Sequence, residues 1–284
     1  LEGRANVLNY LKAKLDFNKY TQVLKAQQIK FPDETPEEMN VRQLNYMEDS
    51  QVKASYVAYK AANKHPKLHY NGVLVVNVNS KMPVADVLKV KDVIVGAEGK
   101  KVQKIEELAD ILKDKKRGDD VHLTVKRGEK QLEVTTKIDR FPDEWLSAGQ
   151  EKKDGLGIIQ AEDISLEIDP DVHFDTKGIG GPSAGLMMSL EIYNQLTATD
   201  ITNGHDICGT GEILLDGTVG PIGGIKQKVV AADKAGAEYF LAPEAEGEAK
   251  DAQAAAKDIG TDMKVIPVGT FDEALDFLNT LEPK

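Results

Sequence analysis

The sequence has almost no cysteine: Cys208 is the single one among 284 residues. No internal disulfide can form, which excludes a disulfide-stapled fold. The compartment stays open, because one thiol suits a cytosolic chain and equally a bacterial surface protein that avoids thiols. No apolar run reaches the ~20 residues that a membrane-spanning helix needs. The first residue is leucine and not methionine, so the chain reads as a fragment or processed form, and any signal or anchor has been left out or never existed. Basic residues are outnumbered, 36 against 47 acidic ones, for a net charge of −11. That balance excludes a general nucleic-acid binder. Histidines number five. His65 and His69 stand four apart, but Pro66 between them spoils a helical metal pair. No metal site and no cofactor is expected. The glycine clusters at 178–181 and 220–224 do not complete the Gly-x-x-x-x-Gly-Lys-Ser/Thr pattern of a phosphate-binding loop. No nucleotide-hydrolysing module is therefore visible.

What is present is 41% hydrophobic residues, enough for two modest domains. Residues 5–30 place Val7, Leu8, Leu11 and Leu15 at helical spacing. Thr35-Pro36-Glu37-Glu38 combines an N-cap, a first-turn proline and a capping box. It opens a long helix expected to reach about Asn63, where His65-Pro66 ends it. From 68 to 138 the pattern turns to short β-rich runs around one helix. Strands are expected at 73–78 and 90–97, and a helix at 105–112. A hairpin joins 121–125 to 132–136 through Arg127-Gly128-Glu129. Residues 139–155 are polar and suit a linker. Runs at 157–159 and 164–168 lead into the last third. There the sequence predicts helices near 182–193, with Pro182 in the first turn and Ser183 just inside it, and near 225–237, 247–259 and 271–281, and a strand at 265–268. The fold class is α+β, with domains at 1–64, 68–140 and 156–284.

The chemistry concentrates at Gly181-Pro182-Ser183-Ala184-Gly185. A serine where a glycine run breaks into an apolar helix lies at the positive end of that helix, beside unpaired backbone N–H groups. Such groups, here near Gly181 and Ser183, can steady an oxyanion. A serine nucleophile needs a base, and a desolvated lysine can be one. In 225–237, Lys226 and Lys228 are two apart and point to nearly opposite sides. The face of Lys228 carries Ile225, Ala231, Ala232 and Ala235, all apolar, whereas Lys226 looks toward Asp233. Burial disfavours an ammonium and lowers its pKa. The bland reading is two surface lysines at a helix start, and without Ser183 it would be preferred. His173, ten residues before Ser183, is a weaker base candidate. Cys208 reads as a small buried residue, not a nucleophile.

These motifs resemble the proteolytic domain of Lon proteases. The resemblance runs from about Ile168 to Leu281 through Gly181–Gly185, Gly209-Thr210-Gly211-Glu212, and Val219-Gly220-Pro221-Ile222-Gly223-Gly224-Ile225-Lys226-Gln227-Lys228. It implies Ser183 as nucleophile, Lys228 as base and Thr210 as the residue contacting that lysine. One departure is Gly180, where relatives often have an acidic residue. The resemblance also implies that the 36–63 helix packs with the 156–284 domain, the β-rich module being inserted between them.

That module is similar to bacterial PDZ domains in Gly72-Val73-Leu74-Val75, Met82-Pro83-Val84-Ala85, Asp92-Val93-Ile94 with Gly99, and the 105–112 helix. Lys91 stands where many relatives have glycine. The similarity implies that a peptide adds to the strand at Val73–Val78, with a carboxylate-binding loop near Asn71 and Gly72. Together the two modules resemble bacterial membrane-anchored PDZ–Lon peptidases of the pheromone-processing kind. The implied protein is an ATP-independent serine endopeptidase. It would act on unfolded or short substrates outside the cytoplasm, from an N-terminal membrane anchor missing here, without binding nucleic acid, and it would assemble, if at all, as a homo-oligomer. A non-catalytic peptide-binding adaptor is the alternative.

Overall fold

The computed structural model describes residues 20, 21, 23, 24, 29–32, 34–146, 153–176 and 178–284. The helical spacing expected at Val7, Leu8, Leu11 and Leu15 lies outside them. The chain forms two compact units. One joins Tyr46–Pro66 to Ile168–Lys284; the other joins Lys30–Asn45 to Lys67–Glu167. Helix α1, Pro36–Ala61, opens with the expected capping box. The Glu38 N–H donates to Thr35 Oγ1 at 3.2 Å, and the Thr35 N–H returns to Glu38 Oε2 at 2.8 Å. Two orphan donors at the helix start are thereby satisfied.

The β-rich unit holds β1 (Lys67–Val78), β2 (Val93–Ala97), β3 (Lys100–Lys101), α2 (Ile105–Leu112), β4 (Asp120–Arg127), β5 (Lys130–Lys137), β6 (Asp139–Arg140), β7 (Asp154–Gly155) and β8 (Ile158–Glu167). Its main sheet runs β5-β4-β2-β1-β8, with β3 added to β2. All of these pairs are antiparallel. β4 alternates as a half-buried strand should, with Val121, Leu123 and Val125 inward. These join Val73, Val75, Ile94 and Leu108 in one core. Asp92 is buried and receives two 2.7 Å hydrogen bonds from the Arg127 guanidinium, plus the Lys89 N–H at 2.8 Å. Lys91 has φ 75, the left-handed region that glycine enters without strain. The glycine common in relatives at this place therefore has a backbone reason.

Two expectations change here. The peptide-docking strand does not fall at Gly72, Val73, Leu74 and Val75. β1 is hydrogen-bonded on both sides: Val73 pairs with Ile94 and with Glu162, and Leu74 with Val93 and with Ala161. A strand with both edges occupied cannot accept a third. Its apolar run is buried accordingly: Val73, Val75 and Val76 are fully buried. Residues 156–167, expected to begin the following domain, instead supply β8, the edge strand beside β1, and the unit boundary falls after Glu167.

The other unit is built around a parallel three-stranded sheet, β13-β12-β9, from β9 (Ile207–Gly209), β12 (Tyr239–Pro243) and β13 (Lys264–Val268). Successive residues of β12 face opposite ways. Leu241 packs with the α1 residues Ala54, Val57, Ala58 and Tyr59, with Leu186 and Leu190 of α3 (Gly185–Leu196), and with Phe271 and Leu278 of α6 (Phe271–Asn279). Phe240 and Ala242 pack with α4 (Ile225–Lys234) and α5 (Glu248–Ile259). The inner face of α5 is Ala249, Ala252, Ala255 and Ala256, small enough to let α4 approach closely. A short antiparallel pair, β10 (Glu212–Ile213) and β11 (Val219–Gly220), connects β9 to the α4 start.

Candidate active site

Ser183 lies in the turn before α3. Ala184 caps the helix and Gly185 begins it, so Ser183, expected just inside the first turn, stands just outside it. Its backbone is fixed from several directions. The Ser183 carbonyl accepts from the Gly211 N–H at 2.9 Å and from Thr210 Oγ1 at 2.9 Å. The Leu186 N–H donates to Gly211 O at 3.0 Å. α1 braces the same loop: Ser50 Oγ donates to Pro182 O at 3.2 Å, and Gln51 Nε2 to Thr176 Oγ1 at 2.9 Å. Gly185 is required by close approach. A Cβ there would stand 2.8 Å from the Ile213 backbone nitrogen and 2.9 Å from Ser50 Oγ.

α4 brings Lys228 to this loop. Its Nζ donates to Ser183 Oγ and to Thr210 Oγ1, each at 2.9 Å. Ser183, Thr210 and Lys228, separated in sequence, thus meet at one amine. Thr210 is fully buried and touches both partners, receiving from the lysine and donating to the serine carbonyl. Burial holds the Lys228 ammonium below the ordinary lysine range, opposed by the charge of Glu248. Lys226 points away to Asp251, Nζ to Oδ1 3.2 Å. The N–H groups of Gly181 and Ser183 donate to no acceptor among the described residues, and Gly181 adopts φ 86. His173 is exposed, and no hydrogen bond among the described residues joins it to Ser183. Burial pushes the Cys208 thiol up, away from the reactive thiolate.

Three contributors escape the sequence reading. Ser50 and Gln51 sit on a helix more than a hundred residues before the loop they brace. Glu248 opens α5, and its Oε2 accepts from the Ile222 N–H at 2.9 Å. Only tertiary contact reveals them. The β-rich unit offers a separate groove, between α2 and the start of β8. It is lined by Leu108, Ala109 and Leu112 on one side, by Leu156, Gly157, Ile158 and Gln160 on the other, and by Phe141. Gly157 has φ 85, and a Cβ there would meet Met82 Sδ at 2.6 Å. Beyond β8 the sheet has no further strand among the described residues.

Residues 120–280 match the Lon protease (S16) C-terminal proteolytic domain, and residues 57–138 match the PDZ domain. The chain is 39% identical over 119 residues to a Lon protease of Campylobacter concisus, covering 41% of this chain and 14% of that one. It is 31% identical over 142 residues to a Lon protease of Helicobacter pylori, covering 50% of this chain and 16% of that one. The matched segment is thus a small part of each relative. Among solved structures, the PDZ domain of the SdrC-like protein from Listeria monocytogenes is 30% identical, with a TM-score of 0.28, over 33% of this chain and 92% of that one.

Proposed function

This chain belongs to the Lon protease (S16) C-terminal proteolytic domain family and carries a PDZ domain, and we propose that it is a serine endopeptidase working through Ser183 and Lys228 without ATP. The observation that carries the reading is the 2.9 Å contact between Lys228 Nζ and Ser183 Oγ at an amine whose charged form burial disfavours. A neutral Lys228 takes the Ser183 proton as Oγ attacks the peptide carbonyl. The negative charge that develops on the carbonyl oxygen is met by the Gly181 and Ser183 N–H groups. The ammonium then protonates the leaving amine. A water molecule, deprotonated by the same lysine, attacks the acyl carbonyl; the Ser183 Oγ–acyl bond breaks, and the lysine returns the proton to Oγ as the carboxylic product leaves. Thr210 holds the amine in line and fixes the serine carbonyl.

Substrate selection falls to the PDZ domain. An extended segment adds to the outer edge of β8, with an apolar side chain between Leu108, Leu112, Leu156 and Ile158. This docking replaces the one expected at β1. Chains that are unfolded or short fit such a groove and need no unfolding engine. A membrane anchor ahead of these residues, an extracytoplasmic position and self-assembly into an oligomer complete the proposal.

A digest of unfolded protein and short peptides tests it. Cleavage by the wild type, unchanged by added ATP and absent in Ser183→Ala, supports the reading. Equal cleavage by Ser183→Ala rules out the nucleophile, and a requirement for ATP rules out independence from it.

A further inference from the structure

We propose that Glu248 is a positioning residue for Lys228: it anchors the loop that launches α4 and places a carboxylate charge beside the lysine that the loop carries. The inference rests on the reading of Lys228 as the base. Glu248 Oε2 accepts from the Ile222 N–H at 2.9 Å. Two residues on, Gly224 caps α4, and its carbonyl accepts from the Lys228 N–H at 3.2 Å. The route from the Glu248 carboxylate to the lysine backbone is thus a short tied loop, Ile222–Gly224. α4 and α5 share one apolar core, Ile225, Val229 and Ala232 with Ala249, Ala252 and Ala256, so the helix that Glu248 opens is packed with the helix that carries Lys228.

The charges around the pair are few. Among the described residues, Glu248 is the charged group that favours the Lys228 ammonium, against the effect of burial. Glu248 in turn is acted on by Lys228 of α4 and by Glu246 and Asp251 of its own segment. Asp251 is already engaged by Lys226 of α4. Burial is the largest influence on Glu248 and raises it. An amine buried with no counter-charge would be neutral over a wide pH range but a weak base. An amine facing a full ion pair would stay protonated. A partly buried carboxylate that does not touch the ammonium lies between these limits, which suits a base that must both take and return a proton.

The sign follows directly. Glu248→Gln keeps an oxygen for the Ile222 N–H but removes the charge. The Lys228 ammonium loses its stabiliser, so the amine stays neutral to lower pH. The acid limb of kcat/KM moves to lower pH, and relative activity on that limb rises by about threefold. Glu248→Asp keeps the charge but shortens the reach to Ile222, so it lowers the plateau and leaves the limb near its wild-type position. The experiment is the pH profile of kcat/KM on a short fluorogenic peptide, for the whole chain and both variants. Lys228→Ala serves as the control. An acid limb in Glu248→Gln that superimposes on the wild type, or moves to higher pH, overturns the proposal. Should Glu248→Gln not fold, a Glu248→Asp limb displaced as far as a lost charge requires overturns it as well. Wild-type activity in Lys228→Ala would overturn the base itself, an outcome distinct from failure of Glu248.

Discussion

Lys228 and Lys226 share one helical turn and differ in what surrounds them. Lys228 reaches two hydroxyls in a half-buried site; Lys226 pairs with Asp251 near the surface. Lys228→Ala should therefore lower kcat/KM by about 10²–10⁴-fold or more, while Lys226→Ala should change it little. Steady-state kinetics on one peptide checks both, and the reverse ranking would refute the assignment. Lys228→Arg should be nearly as poor as the alanine variant, because a guanidinium stays charged near neutral pH. The same burial makes a stability prediction. The folded-state pKa of Lys228 lies below its unfolded value, so the cost of burying charge is full below the folded pKa and fades as pH rises toward the unfolded one. Lys228→Met should raise the melting temperature at neutral pH, and the gain should shrink as pH rises toward the ordinary lysine range. A gain independent of pH would show that packing alone explains it.

At the scale of elements, α1 and β8 matter most. α1 braces the serine loop through Ser50 and Gln51, so Ser50→Ala and Gln51→Ala together should remove about 1 kcal/mol per hydrogen bond. They should lower kcat more than they raise KM, and an unchanged kcat would sink the bracing role. β8 with α2 forms the groove, and Ala109 lies on its rim, exposed. Ala109→Trp should fill the groove without disturbing the buried Leu108. It should slow cleavage of long substrates and spare short fluorogenic peptides; equal effects on both would count against docking there. The serine loop, the lysine helix and the capping box of α1 were legible because each is a local pattern with its own chemistry. The groove was not. The apolar run at Val73–Val78 looks suited to docking, yet a run apolar on both faces belongs in the middle of a sheet, where both edges are taken. β8 carries mixed residues, and nothing local in Ile158–Glu167 names β1 as its partner.

For the whole molecule, the PDZ sheet begins and ends on neighbouring strands, since Lys67 stands opposite Glu167 in the β1–β8 ladder. Opposed residues in an antiparallel pair lie about 5 Å apart, so the segment between them can be removed and closed with a short turn. Excision of 68–166 should leave a folded, probe-reactive protein with impaired cleavage of long chains, because tethering no longer raises their local concentration. Excision of 68–140 alone should fare worse, since it leaves β8 without β1. Circular dichroism and long-peptide turnover on both deletions check this, and unimpaired long-peptide turnover would remove the recruiting role. The central claim, that Lys228 activates Ser183, is tested most directly by the rate at which a serine-reactive phosphonate labels the protein, with the modified residue located by mass spectrometry. The account predicts labelling at Ser183 in the wild type and in Lys226→Ala, and labelling slower by orders of magnitude in a folded Lys228→Ala. Labelling of Lys228→Ala at the wild-type rate, or labelling at a residue other than Ser183, would contradict it.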